Sequence, residues 1–139
     1  MSEIADSLTE AGLPVTTAPG GGTLVSVPSE RRGAVTVLIT QSESAIRLQA
    51  FVLRTPDRAH DDVHLRLLRK NFHTRDWRYA VDPDGDVYAV ADTTGGEGLA
   101  SRLDALLGAL AVLVDETYEG LVRAGFDVPD GVRIGPPPA

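Results

Sequence analysis

The sequence predicts an α+β fold in which an antiparallel β-sheet is flanked by helices. Turn signals at 41–44 and 82–86 join neighbouring β-rich segments directly, which is typical of antiparallel strands. A leucine-rich segment at 99–124 has the period of a long helix. With 139 residues, of which 42% are hydrophobic, the chain is large enough to bury one core. We therefore predict a single domain at 1–126, followed by an extended, proline-rich tail at 127–139.

The N-terminal part of the chain predicts one helix and one strand. Residues 2–13 carry apolar side chains at helical spacing, with Ser2 as the expected N-cap and Gly12 at the end. A glycine-rich loop follows the helix. The segment 23–27 alternates enough to predict a strand after that loop.

The segments 34–41 and 44–54 predict a β-hairpin, because β-branched and alternating apolar residues fill both and only a short polar break separates them. One face of the second strand is apolar. The side chains expected on its other face are Arg47, Gln49, Phe51 and Leu53. Phe51 and Leu53 indicate that this face is also covered in places, and a partner protein is one candidate for the cover.

A second helix is expected to begin at Pro56, because proline is favoured in the first turn and Thr55 can cap it. Asp57 in that turn and basic residues near the other end suit the helix dipole. The apolar residues predicted to form its buried stripe are Val63, Leu65, Leu67, Leu68 and Phe72.

The stretch WRYAVDPDGDVYAVAD, residues 77–92, places three aspartates around a glycine and raises the question of a calcium site. Counted from Asp82, however, the glycine falls at position 4 instead of 6, and position 12 is Thr93 instead of glutamate. Pro83 and Gly85 instead match the requirements of a tight turn. We therefore predict a hairpin turn and no calcium site.

The long C-terminal helix carries two stripes of side chains. Its leucine stripe is predicted to face the core. The second stripe consists of Ser101, Ala105, Gly108, Ala109 and Val112. Either a second helix or subunit packs on these small residues, or alanine is present as a good helix former on a solvated face, and the sequence leaves both interpretations open.

Charge is unevenly distributed along the chain. The net charge of −7 argues against general nucleic-acid binding, since phosphates favour a basic surface. Residues 47–78 nevertheless carry eight basic and four acidic side chains. This basic segment fits either solvated faces of a strand and helix or a patch for an acidic partner, and we favour the solvated faces.

No arrangement of residues in the sequence predicts catalysis, a cofactor or a metal. The chain has no cysteine, no GxSxG nucleophile elbow and no phosphate-binding loop of the GxxxxGK[ST] type. His60 and His64 have the spacing of two zinc ligands on a helix, but Asp61 follows His60 and the HExxH glutamate is missing. The N-terminus lacks the basic flank and apolar run of a signal peptide, and no segment approaches the roughly 20 apolar residues needed to span a membrane, so we expect a cytoplasmic protein.

The predicted order of elements is α-β-β-β-α-β-β-α, and the sequence resembles the bacterial YbjN-domain family, whose members resemble type III secretion chaperones in fold. The stretches LRLLRKNFHTRDWRYAVDPDGDVYAVADT and LDALLGALAVLVDETYEGLVRAGF carry the resemblance over about residues 60–126. It implies a non-enzymatic, chaperone-like or regulatory binding role, commonly as a dimer. It transfers no catalytic residues to this chain.

Two functions follow as hypotheses. The first is a protein-binding module, expected to form a homodimer through the long helix or the strand bearing Phe51 and Leu53. The alternative is a small-molecule or metal-binding sensor that uses His60, His64 and nearby arginines. The candidate protein-binding residues are Phe51, Leu53, Ala105, Gly108, Ala109 and Val112.

Overall fold

The computed structural model describes residues 3–43, 45–128 and 134. These residues form three helices and six strands. In chain order they are α1 (Glu3–Glu10), β1 (Val15–Thr17), β2 (Thr23–Ser29), β3 (Gly33–Ser42), β4 (Ala45–Leu53), α2 (His60–His73), β5 (Trp77–Val81), β6 (Val87–Thr94) and α3 (Leu99–Gly125). The expected cap Ser2 and most of the tail at 127–139 lie outside the described residues.

The strands form one antiparallel sheet in the order β1-β2-β3-β4-β6-β5. After β4 the chain passes through α2 to the edge strand β5, and β6 then returns to pair with β4. The predicted α+β class with an antiparallel sheet is confirmed. The structure adds β1, whose three residues pair with β2 but are too few to produce a strand signal in the sequence.

The helices cover one face of the sheet, where the core lies. Side chains of β2 and β3 alternate between buried and more exposed positions, as expected for a sheet with one packed face. The helix α3 contacts β2 and β6, and both α1 and α2 pack against α3. Fully buried side chains in this core include Val25, Val37, Ile39, Ile46, Leu48, Leu103, Leu110 and Val114.

Polar contacts hold α3 at its middle and at its C-terminal end. The indole N–H of Trp77 donates a hydrogen bond to the Leu106 carbonyl at 2.8 Å, which links β5 to α3. The Gly125 carbonyl accepts the backbone N–H groups of Asp57 at 2.8 Å and Arg58 at 3.1 Å. These contacts fix the helix against the sheet and against the segment that leads into α2.

The alternation of side chains between the two faces of the sheet, expected for all of β4, ends at a β-bulge. The pairing of β4 with β6 shifts register between Phe51 and Leu53, so Val52 and Leu53 are both buried while Phe51 is exposed. The prediction that Phe51 and Leu53 share the outer face is therefore wrong for Leu53. A bulge depends on the pairing of two strands and leaves no regular pattern in one of them.

The structure also corrects two predictions for α2. The helix begins at His60 after Ala59 in a left-handed conformation, and Thr55 instead bonds to the β5–β6 turn through its hydroxyl group, 2.6 Å from the Asp84 carbonyl. Only two residues of the predicted stripe, Val63 and Leu67, are buried. Because each residue turns the helix by about 100°, the other three apolar side chains lie on roughly the opposite side.

The predicted turn between β5 and β6 is confirmed. The Asp82 carboxylate accepts the backbone N–H groups of Asp84 and Asp86, both at 2.9 Å. Gly85 has φ of 89°, a conformation that glycine adopts without strain. The first aspartate of DPDGD therefore shapes the turn.

Candidate protein-binding surface

The outer side of α2 carries an apolar stripe that no other part of the described chain covers. We define the α2 stripe as Leu65, Leu68 and Phe72, whose side chains follow one another at helical spacing. They are 42%, 66% and 86% exposed, respectively. Grouped apolar side chains on a surface are typical of interaction sites, whereas single ones are common everywhere.

A groove runs beside this stripe between α2 and the C-terminal half of α3. It has a volume of about 630 Å³. We define the α2/α3 groove by its lining residues Asp62, Arg66, Leu67, Arg69, Lys70, Phe72, His73, Tyr79, Glu116, Thr117, Gly120 and Leu121. The ammonium group of Lys70 lies 2.8 Å from a Glu116 carboxylate oxygen and joins the two helices. Phe72 therefore belongs to both the stripe and the groove.

Tyr79 lies in the α2/α3 groove and is almost fully buried. Burial raises the pKa of Tyr79 to about 12, a hydrogen bond with Thr117 partly offsets this effect, and the charge of Glu116 adds to it. The phenol is thus neutral at physiological pH. Thr117 in turn donates to the Leu113 carbonyl at 2.8 Å, so these polar groups are satisfied within the protein.

The side chain of Asn71, on α2, is hydrogen-bonded to the outer edge of β5. Its side-chain amide donates to the Tyr79 carbonyl at 3.0 Å, and its side-chain oxygen accepts the Tyr79 N–H at 2.7 Å. The amide thereby makes the two hydrogen bonds that a further strand would make at Tyr79. This arrangement protects the edge strand from pairing with another chain.

The basic segment at 47–78 divides into paired and unpaired charges. On the open face of the sheet, Arg47 and Arg78 both bind Asp92, at 3.0 and 2.9 Å. The guanidinium groups of Arg69 and Arg75, in contrast, make no ion pair or hydrogen bond within the described ranges. The segment is therefore not one continuous patch, although unpaired positive charge remains at the C-terminal end of α2.

The structure brings only two of the predicted binding residues close to the α2/α3 groove. Ala109 and Val112 line an adjoining depression of about 270 Å³ that also contains Lys70, His73 and Glu116. Ala105 and Gly108 are exposed further towards the N-terminus of α3. Val112 is 56% exposed, so the small-residue stripe faces outwards in the single chain.

Phe51 and Leu53 belong to a separate depression of about 550 Å³. They line it together with Tyr118, Val122 and Phe126, and the guanidinium of Arg32 lies 5.9 Å from the centre of the Phe51 ring. The predicted residues thus fall on two surfaces instead of one. Leu53 contributes the floor of the depression, not an exposed contact.

His60 and His64 are close together, but the His60 ring has another partner. A ring nitrogen of His60 lies 2.7 Å from the Pro56 carbonyl, and the two imidazole centres are 6.4 Å apart. Within residues 3–43, 45–128 and 134, no group of three or more His, Cys, Asp or Glu side chains is arranged to hold a metal ion. These described residues therefore supply no set of metal ligands to the sensor hypothesis.

The antiparallel sheet with helices on one face is the predicted α+β architecture. The family relation is more specific, since residues 2–123 match the family YbjN, described as "Putative bacterial sensory transduction regulator". The chain belongs to the YbjN family. The resemblance inferred from residues 60–126 is confirmed and extends over nearly the whole chain.

A relative in sequence and a solved structure are both similar to this chain. The uncharacterized protein Rv0487 of Mycobacterium tuberculosis is 32% identical over 111 residues, which cover 78% of this chain and 61% of that protein. The chain thus spans about three fifths of the length of this relative. Among solved structures, the crystal structure of the ExsC–ExsE complex contains a chain with TM-score 0.59 and 20% identity, covering 86% of this chain and 90% of that one. This likeness shows the fold.

The α2 stripe is the candidate binding surface that the sequence did not reveal. The apolar pattern of α2 predicts all three residues in the core, because that prediction places every apolar residue at helical spacing on one buried side. The available signal was their angular position, since Leu65, Leu68 and Phe72 lie well away from Val63 and Leu67 around the helix. A helix apolar on two sides has two surfaces to cover.

In the described part of the chain, no helix is long and apolar enough to cross a membrane.

Proposed function

We propose that this chain is a non-enzymatic, protein-binding module with a chaperone-like or regulatory role in the bacterial cytoplasm. The observation that carries this proposal is the α2 stripe, which exposes Leu65, Leu68 and Phe72 beside the α2/α3 groove. Exposing these side chains to water is unfavourable, and a bound protein would remove that cost.

The chemistry of the surface fits a protein partner. Interface centres are enriched in aromatic side chains and surrounded by polar residues. Here Phe72 lies at the centre, while Arg69 and the Lys70–Glu116 ion pair lie at its margin. Ala109 and Val112 would extend the contact along α3, and Ala105 and Gly108 would continue it.

The second surface, at Phe51 and Leu53, is a further candidate for contact with a partner. Its depression combines apolar walls with the guanidinium groups of Arg32 and Arg54 at its margin. Arg54 lies 4.4 Å from the centre of the Phe126 ring. An apolar side chain next to a carboxylate would suit this depression.

Likeness to a protein complex supports the proposal. The ExsC–ExsE structure contains a chain of this fold in complex with a protein partner. Membership of a family described as a sensory transduction regulator is consistent with a role exerted through protein contacts. The partner of the present chain has to be found experimentally.

The test is affinity capture from the native host, followed by mass spectrometry. The tagged wild-type chain is compared with Phe72→Glu and with the matched control Val81→Glu, which changes an exposed apolar residue on β5 outside the α2/α3 groove. We expect specific partners with the wild type and the control, and their loss with Phe72→Glu. Partners that bind Phe72→Glu as well as the wild type would remove the α2 stripe from the proposal.

A further inference from the structure

We infer that the depression at Phe51 and Leu53 binds an acidic segment of a partner protein, with a carboxylate of that segment on Arg32 and a neighbouring large apolar side chain against Phe126. This inference rests on the proposed function, because it assumes a protein partner, and it names the chemistry of that partner at the second surface. We call the site the Phe51 depression and define it by its lining residues Arg32, Phe51, Val52, Leu53, Arg54, Tyr118, Val122 and Phe126.

The composition of the Phe51 depression differs from that of the whole chain. Among the described residues, its lining contains two arginines and no carboxylate, although the chain has a net charge of −7. Phe51, Tyr118 and Phe126 also line it, in a chain with only 5% aromatic residues. Arginine and aromatic residues are enriched at the centres of protein interfaces. The α2/α3 groove, in contrast, is lined by Asp62 and Glu116 as well as by cationic side chains, so an acidic segment is better suited to the Phe51 depression.

The β-bulge of β4 shapes the apolar part of the depression. It buries Leu53 and leaves the neighbouring Phe51 36% exposed. The Phe51 ring makes an edge-to-face contact with Tyr88, with 5.6 Å between the ring centres, which fixes its orientation. From the C-terminal end of α3, Val122 and Phe126 contribute half-buried apolar side chains. A large apolar side chain bound between these residues would remove their remaining exposure to water.

The guanidinium group of Arg32 is a fixed cation without a counter-ion. Its Nε–H donates to the Val52 carbonyl at 2.8 Å, and a second N–H donates to the Ala34 carbonyl. Carbonyls carry no net charge, and Arg32 forms no ion pair within residues 3–43, 45–128 and 134. A guanidinium group has five N–H donors, so further donors remain for a carboxylate. Because two bonds already hold the side chain, little conformational entropy would be lost on binding.

Arg54 differs from Arg32 because its charge is already paired. Its guanidinium group lies 2.8 Å from an Asp57 carboxylate oxygen and 4.4 Å from the centre of the Phe126 ring. Asp57 would repel an incoming carboxylate on this side, whereas the Arg32 guanidinium would attract one. The depression therefore orients its ligand, with the carboxylate at Arg32 and the apolar side chain towards Phe126 and the guanidinium plane stacked on it.

A small acid that contains both groups tests the site directly. The probe is N-acetyl-phenylalanine, whose carboxylate neighbours an aromatic side chain, and the matched control is its neutral derivative, N-acetyl-phenylalaninamide. Backbone chemical shifts of the full chain should change saturably around Phe51 and Val122 with the acid in the millimolar range, and the neutral derivative should bind about tenfold more weakly. Equal binding of the two compounds, or shifts confined to the α2/α3 groove, would overturn the inference.

Substitution of the arginines tests the orientation of the ligand. Arg32→Gln should weaken binding of the acid about tenfold, whereas Arg54→Gln should change it by less than about threefold. Arg31→Gln is the matched control in the same turn and should change nothing, because Arg31 pairs with Glu119 and does not line the depression. Arg32→Lys retains the charge without the planar fork and should weaken binding about threefold, which keeps the test available if Arg32→Gln does not fold. Wild-type affinity in either folded Arg32 variant, or an equal loss in Arg54→Gln, would overturn the orientation.

Affinity capture separates this inference from the proposed function. Partners lost with Arg32→Gln but retained with Arg31→Gln should share a segment in which a carboxylate neighbours a large apolar residue, and replacing that carboxylate by an amide should release them. Partners retained by Arg32→Gln would overturn the acidic segment and keep the proposed function. Binding of the acid without any captured partner would remove the proposed function and make a free carboxylic acid the ligand. A wild-type dimer that light scattering shows to dissociate in Arg32→Gln would make the occupant a second copy and overturn the separate partner.

Discussion

At the scale of single residues, Gly125, the last residue of α3, shows why glycine is required at one position of a helix. A Cβ at this position would lie 2.8 Å from Pro56 Cβ and 3.1 Å from Val63 Cγ2, so only glycine fits without displacement. The sequence predicts that Gly125 stops the helix, and the structure shows in addition that close packing requires a glycine here. We expect Gly125→Ala to lower the free energy of unfolding by about 1–3 kcal/mol through overpacking, as measured by urea denaturation.

Gly108 provides the control for this substitution. It lies within the same helix, and a Cβ there would have no heavy atom within 4 Å. Gly108→Ala should therefore raise the free energy of unfolding by up to about 1 kcal/mol, since alanine favours the helix and meets no obstacle. If both substitutions stabilise the protein, the crowding at Gly125 is relieved by movement of Pro56.

Asp92 gives a prediction about pH. Hydrogen bonds from Arg47 and then Arg78 hold the pKa of Asp92 below its usual value. A folded-state pKa below the unfolded value of about 3.9 contributes stability above that pH, and the contribution disappears as pH falls through the folded-state pKa. We expect Arg47→Gln to raise the pKa of Asp92 in a carboxyl NMR titration. The remote change Arg31→Gln should leave it unaltered, and an unaltered pKa in both variants would contradict the ion pair.

At the scale of elements, the edge strand β5 depends on a side chain from α2. Removing the amide in Asn71→Ala leaves the Tyr79 N–H and carbonyl without protein partners and should cost about 1–2 kcal/mol of stability. Hydrogen exchange at the Tyr79 amide should accelerate in this variant. Asn71→Asp keeps the acceptor oxygen, so the Tyr79 amide should stay more protected than in Asn71→Ala. Equal exchange in all three proteins would show that solvent or another group replaces Asn71.

Local signals predicted most elements correctly. The β3–β4 and β5–β6 hairpins were predictable because their turns are specified by adjacent residues, as in the bonds of Asp82 to the following backbone. The start and outer side of α2 were not predictable in this way. Thr55 bonds to a turn about thirty residues away, and the buried side of the helix depends on what packs against it.

The candidate site was predicted less well than the fold. The stripe containing Ala109 and Val112, for which the sequence leaves packed and solvated interpretations open, faces outwards beside a depression, whereas the more exposed Phe72 is predicted from sequence to lie in the core. Exposure of a large apolar residue is a property of the assembled domain, since it depends on which neighbours are present. The bulge that buries Leu53 is likewise a property of the β4–β6 pair.

At the scale of the whole molecule, sheet and helices share one core and are expected to unfold together. Trp77, the only tryptophan, is buried and donates to Leu106, so its fluorescence reports on the contact between sheet and α3. We expect fluorescence and far-ultraviolet circular dichroism to give the same urea midpoint. An earlier fluorescence transition would show that the β5 region separates from the rest of the core first.

The proposed domain boundary is tested by truncation. A chain ending at residue 128 retains Phe126, whose backbone N–H bonds to the Val122 carbonyl at 2.9 Å. We expect its free energy of unfolding to match that of the full chain within about 0.5 kcal/mol. A larger loss would place part of the tail at 127–139 within the domain.

The hydrogen bonds between Asn71 and Tyr79 have a consequence for aggregation. Extended sheets grow when an edge strand of one molecule pairs with that of another, as in fibrils. Here one edge is occupied by an asparagine amide, and the other ends in the three residues of β1. Concentrated solutions of the folded protein should therefore resist fibril growth from either edge. Deamidation of Asn71, the only asparagine in the chain, would remove half of that protection at β5.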